Sequence, residues 1–265
     1  MISGLHHVAI AVRELEPAAA GYQRLLGAAP QMQDGGGATR AWFWLDNIGL
    51  ELIATDGDGP TGDRVRAQLE AAGEGLWLLA LASDDLDGDT RLCERRGLAG
   101  AGRTERATIF QPETTGGVTV ALMGFPRSAS QASGEVTGLD HVVIRTANVD
   151  RAVANFAGRL GLDLRLDRSN ESWGVRQLFF RAGDAVVEFG ASLKTPVSDA
   201  PDSFGGLAWR VNDPVAAQAR IALAGFDVSQ VRPGRKPGTH VFTVRDAPGG
   251  VPTLMLSAEP QRQAA

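Results

Sequence analysis

Apolar residues alternate with short polar breaks in a way that predicts strands and helices in a fixed order. Leu5 to Val12 is a dense apolar run short enough for a buried strand. Leu15, Ala18, Ala19, Tyr22, Leu25 and Leu26 then recur at helical spacing over Glu14 to Leu26, and Gly27 is a natural stop. Arg40 to Leu45 and Leu50 to Ala54 are strand-like, with Asp46-Asn47 opening a tight turn between them. The same order returns more faintly in Leu76 to Ala82 (strand), Asp87 to Arg96 (helix, ended by Gly97) and Val118 to Met123 (strand). It returns again in Leu207 to Val211, Pro214 to Ala224 and Val251 to Leu256.

One stretch is written twice. Gly4-Leu5-His6-His7-Val8-Ala9-Ile10 reappears as Gly138-Leu139-Asp140-His141-Val142-Val143-Ile144, and residues 4–27 match 138–161 without a gap. A shared period of this length predicts a duplicated structural unit. The chain therefore reads as an α+β protein of four βαβββ modules, at 4–55, 75–124, 138–192 and 205–258. These form two domains, 1–125 and 138–258, joined by a polar linker at 126–137 and followed by a tail at 259–265. Neighbouring modules are expected to pair, because short connections usually join elements adjacent in space.

Composition narrows the function classes. Hydrophobic residues make up 43% of the chain and charged residues 22%, enough for a sizeable core. The net charge is −5 with no basic cluster on any predicted element, so nucleic acid is not an expected partner. No apolar run is long enough to span a bilayer, and no signal peptide is visible at Met1-Ile2-Ser3-Gly4. The lone Cys93 fits a reducing compartment, and a cytoplasmic monomer or homodimer with a small-molecule ligand is expected.

Paired βαβββ modules, each opening on a G-L-x-H-V strand and a helix ending in L-G, resemble the vicinal oxygen chelate superfamily. That group includes glyoxalase I, extradiol dioxygenases, methylmalonyl-CoA epimerase, and the fosfomycin and bleomycin resistance proteins. The resemblance implies two open eight-stranded barrels, with metal ligands on the first and last strands of each module. Carried over by residue, those ligands are His7 and Glu51 in module one and His141 and Glu188 in module three. The metal implied is one divalent ion (Zn, Ni, Co, Mn or Fe), with none as the alternative. Modules two and four place Leu78, Ala121, Gly206 and Met255 at the corresponding positions, which leaves each barrel half a ligand set. Each His/Glu pair also has a metal-free reading, as a hydrogen bond between adjacent strands.

Residues on one strand share a face at every second position, so His141, Val143 and Arg145 should point one way, and Gly206, Ala208 and Arg210 likewise. Arg145 and Arg210 are candidate anion binders, the alternative being pairing with surface acids such as Asp213. The basic, glycine-rich loop 232–240 offers Arg235 as a substrate-binding residue and His240 as a catalytic acid or base; its plainer reading is an exposed hairpin loop. Trp209 is a candidate cavity wall, and Glu188 and Glu51 are candidate bases. Three functions compete: a metal-assisted lyase or isomerase acting on a small oxygenated, anionic metabolite; a metal-free binding or resistance protein; and an extradiol dioxygenase, disfavoured by Gly206 and Met255. The second barrel, with its extra arginines, should carry the function.

Overall fold

The two central strands of each half explain the densest apolar runs. β1 (Ile2–Ala11) lies between β4 (Gly49–Thr55), which is parallel to it, and β5 (Gly75–Ser83), which is antiparallel. Covered on both faces, it needs apolar residues on both. The structure is a computed structural model that describes residues 1–130 and 134–257, so the expected tail at 259–265 lies outside the described residues.

Module one contains β1, α1 (Leu15–Leu26), β2 (Gln31–Gly35), β3 (Ala38–Trp44) and β4. Module two contains β5, α3 (Leu86–Arg95), β6 (Gly100–Arg103), β7 (Ala107–Phe110), α4 (Pro112–Thr115) and β8 (Thr119–Met123). They form one eight-stranded sheet in the order β2-β3-β4-β1-β5-β8-β7-β6. The second half repeats this plan. Module three runs β9 (Val136–Arg145), α5 (Val149–Val153) continuing into a π-helical turn at Ala154–Arg159, β10 (Asp163–Asn170), β11 (Val175–Ala182) and β12 (Ala185–Ser192). Module four runs β13 (Ser203–Val211), α6 (Pro214–Leu223), β14 (Arg232–Pro233), β15 (His240–Val244) and β16 (Thr253–Ser257). Their sheet has the order β10-β11-β12-β9-β13-β16-β15-β14. Neighbouring modules thus pair through β1–β5 and β9–β13, and the two His/Glu pairs stand in different sheets.

Local chemistry sets the element ends. Gly27 closes α1 with φ of 71°, a left-handed conformation that costs glycine little. Asp213 caps α6 by accepting from the backbone N–H groups of Val215 and Ala216 at 2.9 and 3.1 Å. The halves are joined by side chains that imitate backbone. Asn47, buried at the β3–β4 turn, donates to the Leu139 carbonyl at 2.7 Å and accepts from the Leu139 N–H at 2.8 Å. β9 begins at Val136, inside the stretch read as linker.

One element was not expected. Residues Pro60–Ala72 form α2, opened by Pro60 in its first turn and closed at Gly73. Its apolar positions Val65 and Leu69, four apart, pack against Ala9, Ala11, Ala38, Ile53, Trp77, Leu78, Ala80 and Ala121. Those alanines leave the space into which the helix fits. Gly62 allows its close approach, since a Cβ there would lie 2.1 Å from the Gly37 carbonyl oxygen. The first sheet therefore has its inner face filled by the chain's own helix. Leu69→Ala should lower unfolding free energy by about 2 kcal/mol in urea titrations and leave ligand binding in the second half unchanged.

Candidate functional site

The second half lacks a counterpart of α2. The connection between β12 and β13 is irregular, and the inner face of its sheet stays open as a cavity of about 440 Å³. The cavity holds Asp140, His141, Gln177 and Glu188 on strands β9, β11 and β12, with Phe179, Val143 and Val186 beside them. Arg168 from β10 and Arg232, Arg235 and Lys236 from the β14–β15 hairpin form its cationic wall, and Val241, Leu254 and Leu256 its apolar one.

A β-bulge brings Asp140 and His141 together on one side of the sheet. Leu139 pairs with Trp209 and His141 with Ala208, so Asp140 is the extra residue and its side chain turns to the same side as His141. Asp140 Oδ2 lies 2.8 Å from His141 Nδ1, and Glu188 Oε2 lies 3.5 Å from His141 Nε2. Gln177 Nε2 donates to Glu188 Oε1 at 2.6 Å, and Arg168 Nη2 donates to Gln177 Oε1 at 3.3 Å. Burial pushes the Asp140 carboxyl upward, but the His141 hydrogen bond and charge, together with Arg210, outweigh it and hold Asp140 below the usual carboxylate range. An ionised Asp140 accepts a hydrogen bond from His141 Nδ1 and so turns Nε2 toward Glu188 and the cavity.

The same bulge in the first half carries His6 where the second carries Asp140. There His6 Nδ1 and His7 Nδ1 lie 2.8 Å apart, and burial, helped by His7 and Arg127, pushes the His6 pKa down to about 3. Glu51 is paired with Arg40, whose Nε donates to it at 2.9 Å; the corresponding residue on the neighbouring strand of the second half is the uncharged Gln177. His7 and Glu51 are 3% and 6% exposed, with the Trp42 ring 5.0 Å from His7. His7 and Glu51, expected as metal and catalytic residues, are thus both packed and paired, and neither lines the cavity of the second half.

Four other expected site residues fall outside the cavity. Trp209 is fully buried in the core, on the face of β13 opposite Ala208. His240 is exposed, and strand alternation sends it away while Thr239 and Val241 face the cavity. Arg210 donates to Asp140 at 3.3 Å and to Asp184 at 2.8 Å, so it acts on Asp140 rather than on a ligand, and its partners are not Asp213. Arg145 ends β9, exposed, donating to the Gly205 carbonyl at 3.3 Å. Arg235 does line the cavity, as do His141 and Glu188. Met255 is a core residue; Leu254 and Leu256 are the β16 side chains that face inward. Asp140, Gln177 and Arg168 were not singled out from sequence. The signal for Asp140 was present, because it is the one motif position where the two copies differ in chemistry, His6 against Asp140.

The donor set was tested for a divalent ion. His141 Nε2 and Glu188 Oε2 are the two protein donors that point together, and Asp140 occupies the other imidazole nitrogen. Among the described residues no three His, Cys, Asp or Glu side chains converge on one point. Across the sheet stand Ala208, Leu254 and Leu256, which ligate nothing. A resident ion ordinarily takes three or four protein ligands, so this is half a set.

A larger, more open hollow of about 610 Å³ lies at the seam of the halves, lined by Asp46, Asp84, Asp184 and Arg127. Arg127 is bound there to the carbonyls of Leu5 and Asn47, and no histidine lines the space.

The profile of the Glyoxalase/Bleomycin resistance protein/Dioxygenase superfamily matches residues 6–110 and 140–243, one match in each half. The chain belongs to that superfamily. Among solved structures it resembles a triple mutant of 4-hydroxymandelate synthase from Streptomyces coelicolor, with a TM-score of 0.75, 13% identity, and coverage of 100% of this chain and 95% of the other. It also resembles an Mn(II)-bound glyoxalase from Novosphingobium aromaticivorans, with a TM-score of 0.67, 16% identity, and coverage of 97% and 82%. At such identities the superfamily likeness is one of fold. A segment of 62 residues is 47% identical to ethylmalonyl-CoA/methylmalonyl-CoA epimerase of Cereibacter sphaeroides, covering 22% of this chain and 46% of that protein. The match thus spans about half the length of that relative. Among the described residues no helix is long and apolar enough to cross a membrane.

Proposed function

We propose that the second half is an isomerase-type active site that moves a proton at a carbon next to a carbonyl of a small anionic metabolite. The observation that carries this reading is the chain Asp140–His141–Glu188 facing an open cavity with a cationic wall. Asp140 fixes the imidazole through Nδ1. Nε2 of His141 takes the proton from carbon, and Glu188, steadied by Gln177, lies close enough to exchange it. The arginine wall stabilises the substrate anion and the enolate that forms when the proton leaves. The epimerase relative is in keeping with proton transfer of this kind, and its substrate class belongs among the compounds to test.

This reading needs no resident metal, and no step runs through one. A divalent ion would be held only by His141 Nε2 and Glu188, with ligand oxygens completing its shell.

The test is proton exchange. The protein is incubated in D₂O with 2-oxo acids, 2-substituted 3-oxo acids and methylmalonyl thioesters, and deuterium at the activated carbon is followed by NMR. Enzyme-dependent exchange is expected for at least one anionic compound and for none of the neutral esters, with and without chelator. Loss of exchange on chelation, restored by Mn(II), would transfer the central role to an ion on His141 and Glu188. Saturable binding without exchange would favour the second reading, a sequestering protein, which the apolar wall of Val241, Leu254 and Leu256 supports.

A further inference from the structure

The charges at the cavity mouth are in excess of what a single carboxylate substrate calls for. Arg168, Arg232 and Arg235 line the space, against Asp140 and Glu188 on its floor, in a chain whose net charge is −5. Asp140 is already matched by Arg210 and His141. Arg168 is turned toward Gln177. Arg232 and Arg235 have no acidic partner among the described residues, although most arginines near them in the sheet, such as Arg176 and Arg210, are ion-paired. Both are exposed on one short hairpin at the cavity rim, where an anion could be held by the two guanidiniums together.

The hairpin tip also crosses the barrel. Arg235 lies with its guanidinium 4.2 Å from the ring centre of Trp173, which sits in the turn between β10 and β11, at the opposite edge of the same sheet. The stack bridges the two edges over the cavity. Trp173 is 44% exposed, so its emission can report on what binds beside it. Cation–π stacking uses the face of the guanidinium and leaves its N–H edge directed outward for an oxyanion.

We propose that the mouth, formed by Arg232 and Arg235 with Lys236 beside them, is a separate subsite for a doubly charged anionic group of the ligand, a phosphate monoester or a dicarboxylate end, away from the carbon that reacts at His141. The inference rests on the isomerase reading for what happens at the floor, but it concerns a different part of the ligand. The ligand is thus two-ended: a carbonyl acid over His141 and Glu188, and a dianion under the Arg235–Trp173 bridge.

The experiment uses the full chain and tryptophan emission, with inorganic phosphate, pyrophosphate, malonate and acetate as probes, each against NaCl of matched ionic strength. Saturable change in emission and a raised melting temperature are expected with phosphate or malonate, and neither with acetate. The Arg232→Ala/Arg235→Ala double variant should bind at least about tenfold more weakly. Trp173→Phe should lose the emission change and keep the thermal shift. Response to phosphate alone identifies a phosphate ester, and response to malonate alone a dicarboxylate. No saturable response beyond matched NaCl, or equal affinity in the double variant, overturns the subsite. His141→Ala separates the two proposals. If it abolishes exchange and keeps anion binding, both stand. If anions bind and no compound exchanges, the isomerase reading fails and the subsite remains.

Discussion

Replacing His141 with alanine should lower deuterium exchange at the activated carbon by about 10²–10⁴-fold, the range for loss of a positioned acid or base. His7→Ala should leave that rate within about twofold and instead lower unfolding free energy by about 1–3 kcal/mol, because it strips partners from buried His6 and Glu51. The asymmetry follows from what surrounds each histidine. His7 is packed against Trp42 beside a carboxylate already held by Arg40. His141 has a carboxylate at each imidazole nitrogen and an open cavity in front of it. Asp140→Asn should give an intermediate loss, since an amide still fills the bulge but no longer dictates which nitrogen carries the proton. Rates and urea curves measured on the same three variants decide the matter. Equal losses for His141 and His7, or a loss only for His7, would remove the second half from the centre of the mechanism.

The duplication made much of this molecule legible. The gapless match of residues 4–27 to 138–161 implied equivalent strands, and β1 and β9 occupy the same place in their sheets. Strong periodicity marked α1 and α6 to within a residue or two. The helix α2 was hidden because Val65 and Leu69 are its only large buried residues, and its helical face is too narrow to stand out beside Gly57, Gly59 and Gly62. Its effect is large all the same, because it decides which barrel is open.

The site was legible where the motif repeats and illegible where the sheet bends. His141 came from the repeat, and Glu188 from what the family resemblance implies for the last strand of the module. Asp140 needed the bulge, and a bulge shifts a side chain to the other face with no change in composition. The same shift explains why positions counted along β13 and β16 went astray. Cross-strand register places Ala208 opposite His141 and points Leu254 and Leu256 inward, where simple counting gave Gly206 and Met255. His240 and Trp209 failed for a related reason. Each was judged by residue type, and on a strand the parity of the position decides the face.

The two copies then diverged in a coherent way. In the first, Arg40 pairs with Glu51, His6 stands beside His7, and a helix fills the inner face. In the second, Gln177 rather than an arginine holds Glu188, Asp140 replaces the histidine, and the face stays open. Each difference leaves the first copy packed and paired and the second copy open.

Arg151→Ala should be the most destabilising single change at the joint of the halves, by about 3–5 kcal/mol, because it leaves a buried carboxylate without its counter-ion. Arg151 Nη2 donates to Asp202 Oδ1 and to the Ala200 carbonyl, both at 2.6 Å, and the Asp202 side chain has no exposure. Asp202 in turn donates its backbone N–H to Gly116 of the first half at 2.8 Å, so the pair braces the seam. Burial pushes the Asp202 carboxyl above the usual carboxylate range in spite of Arg151. A carboxyl raised in this way binds more protons folded than unfolded between the two pKa values, so its contribution to stability falls as pH rises through that window. Removing Arg151 raises the carboxyl further and widens the window. The deficit of Arg151→Ala should therefore be largest at pH 7–8 and shrink toward pH 5, as Asp202 takes up a proton. Adding Asp202→Asn to Arg151→Ala should recover a large part of the loss at pH 7, since the amide carries no charge. Arg176→Ala, which breaks a surface pair with Asp167, is the control and should cost under about 1 kcal/mol. Urea unfolding at pH 7 and pH 5 measures all three variants against the unsubstituted protein. A deficit independent of pH, or no recovery by the asparagine, would place the effect in lost packing of the arginine rather than in the charge it leaves behind.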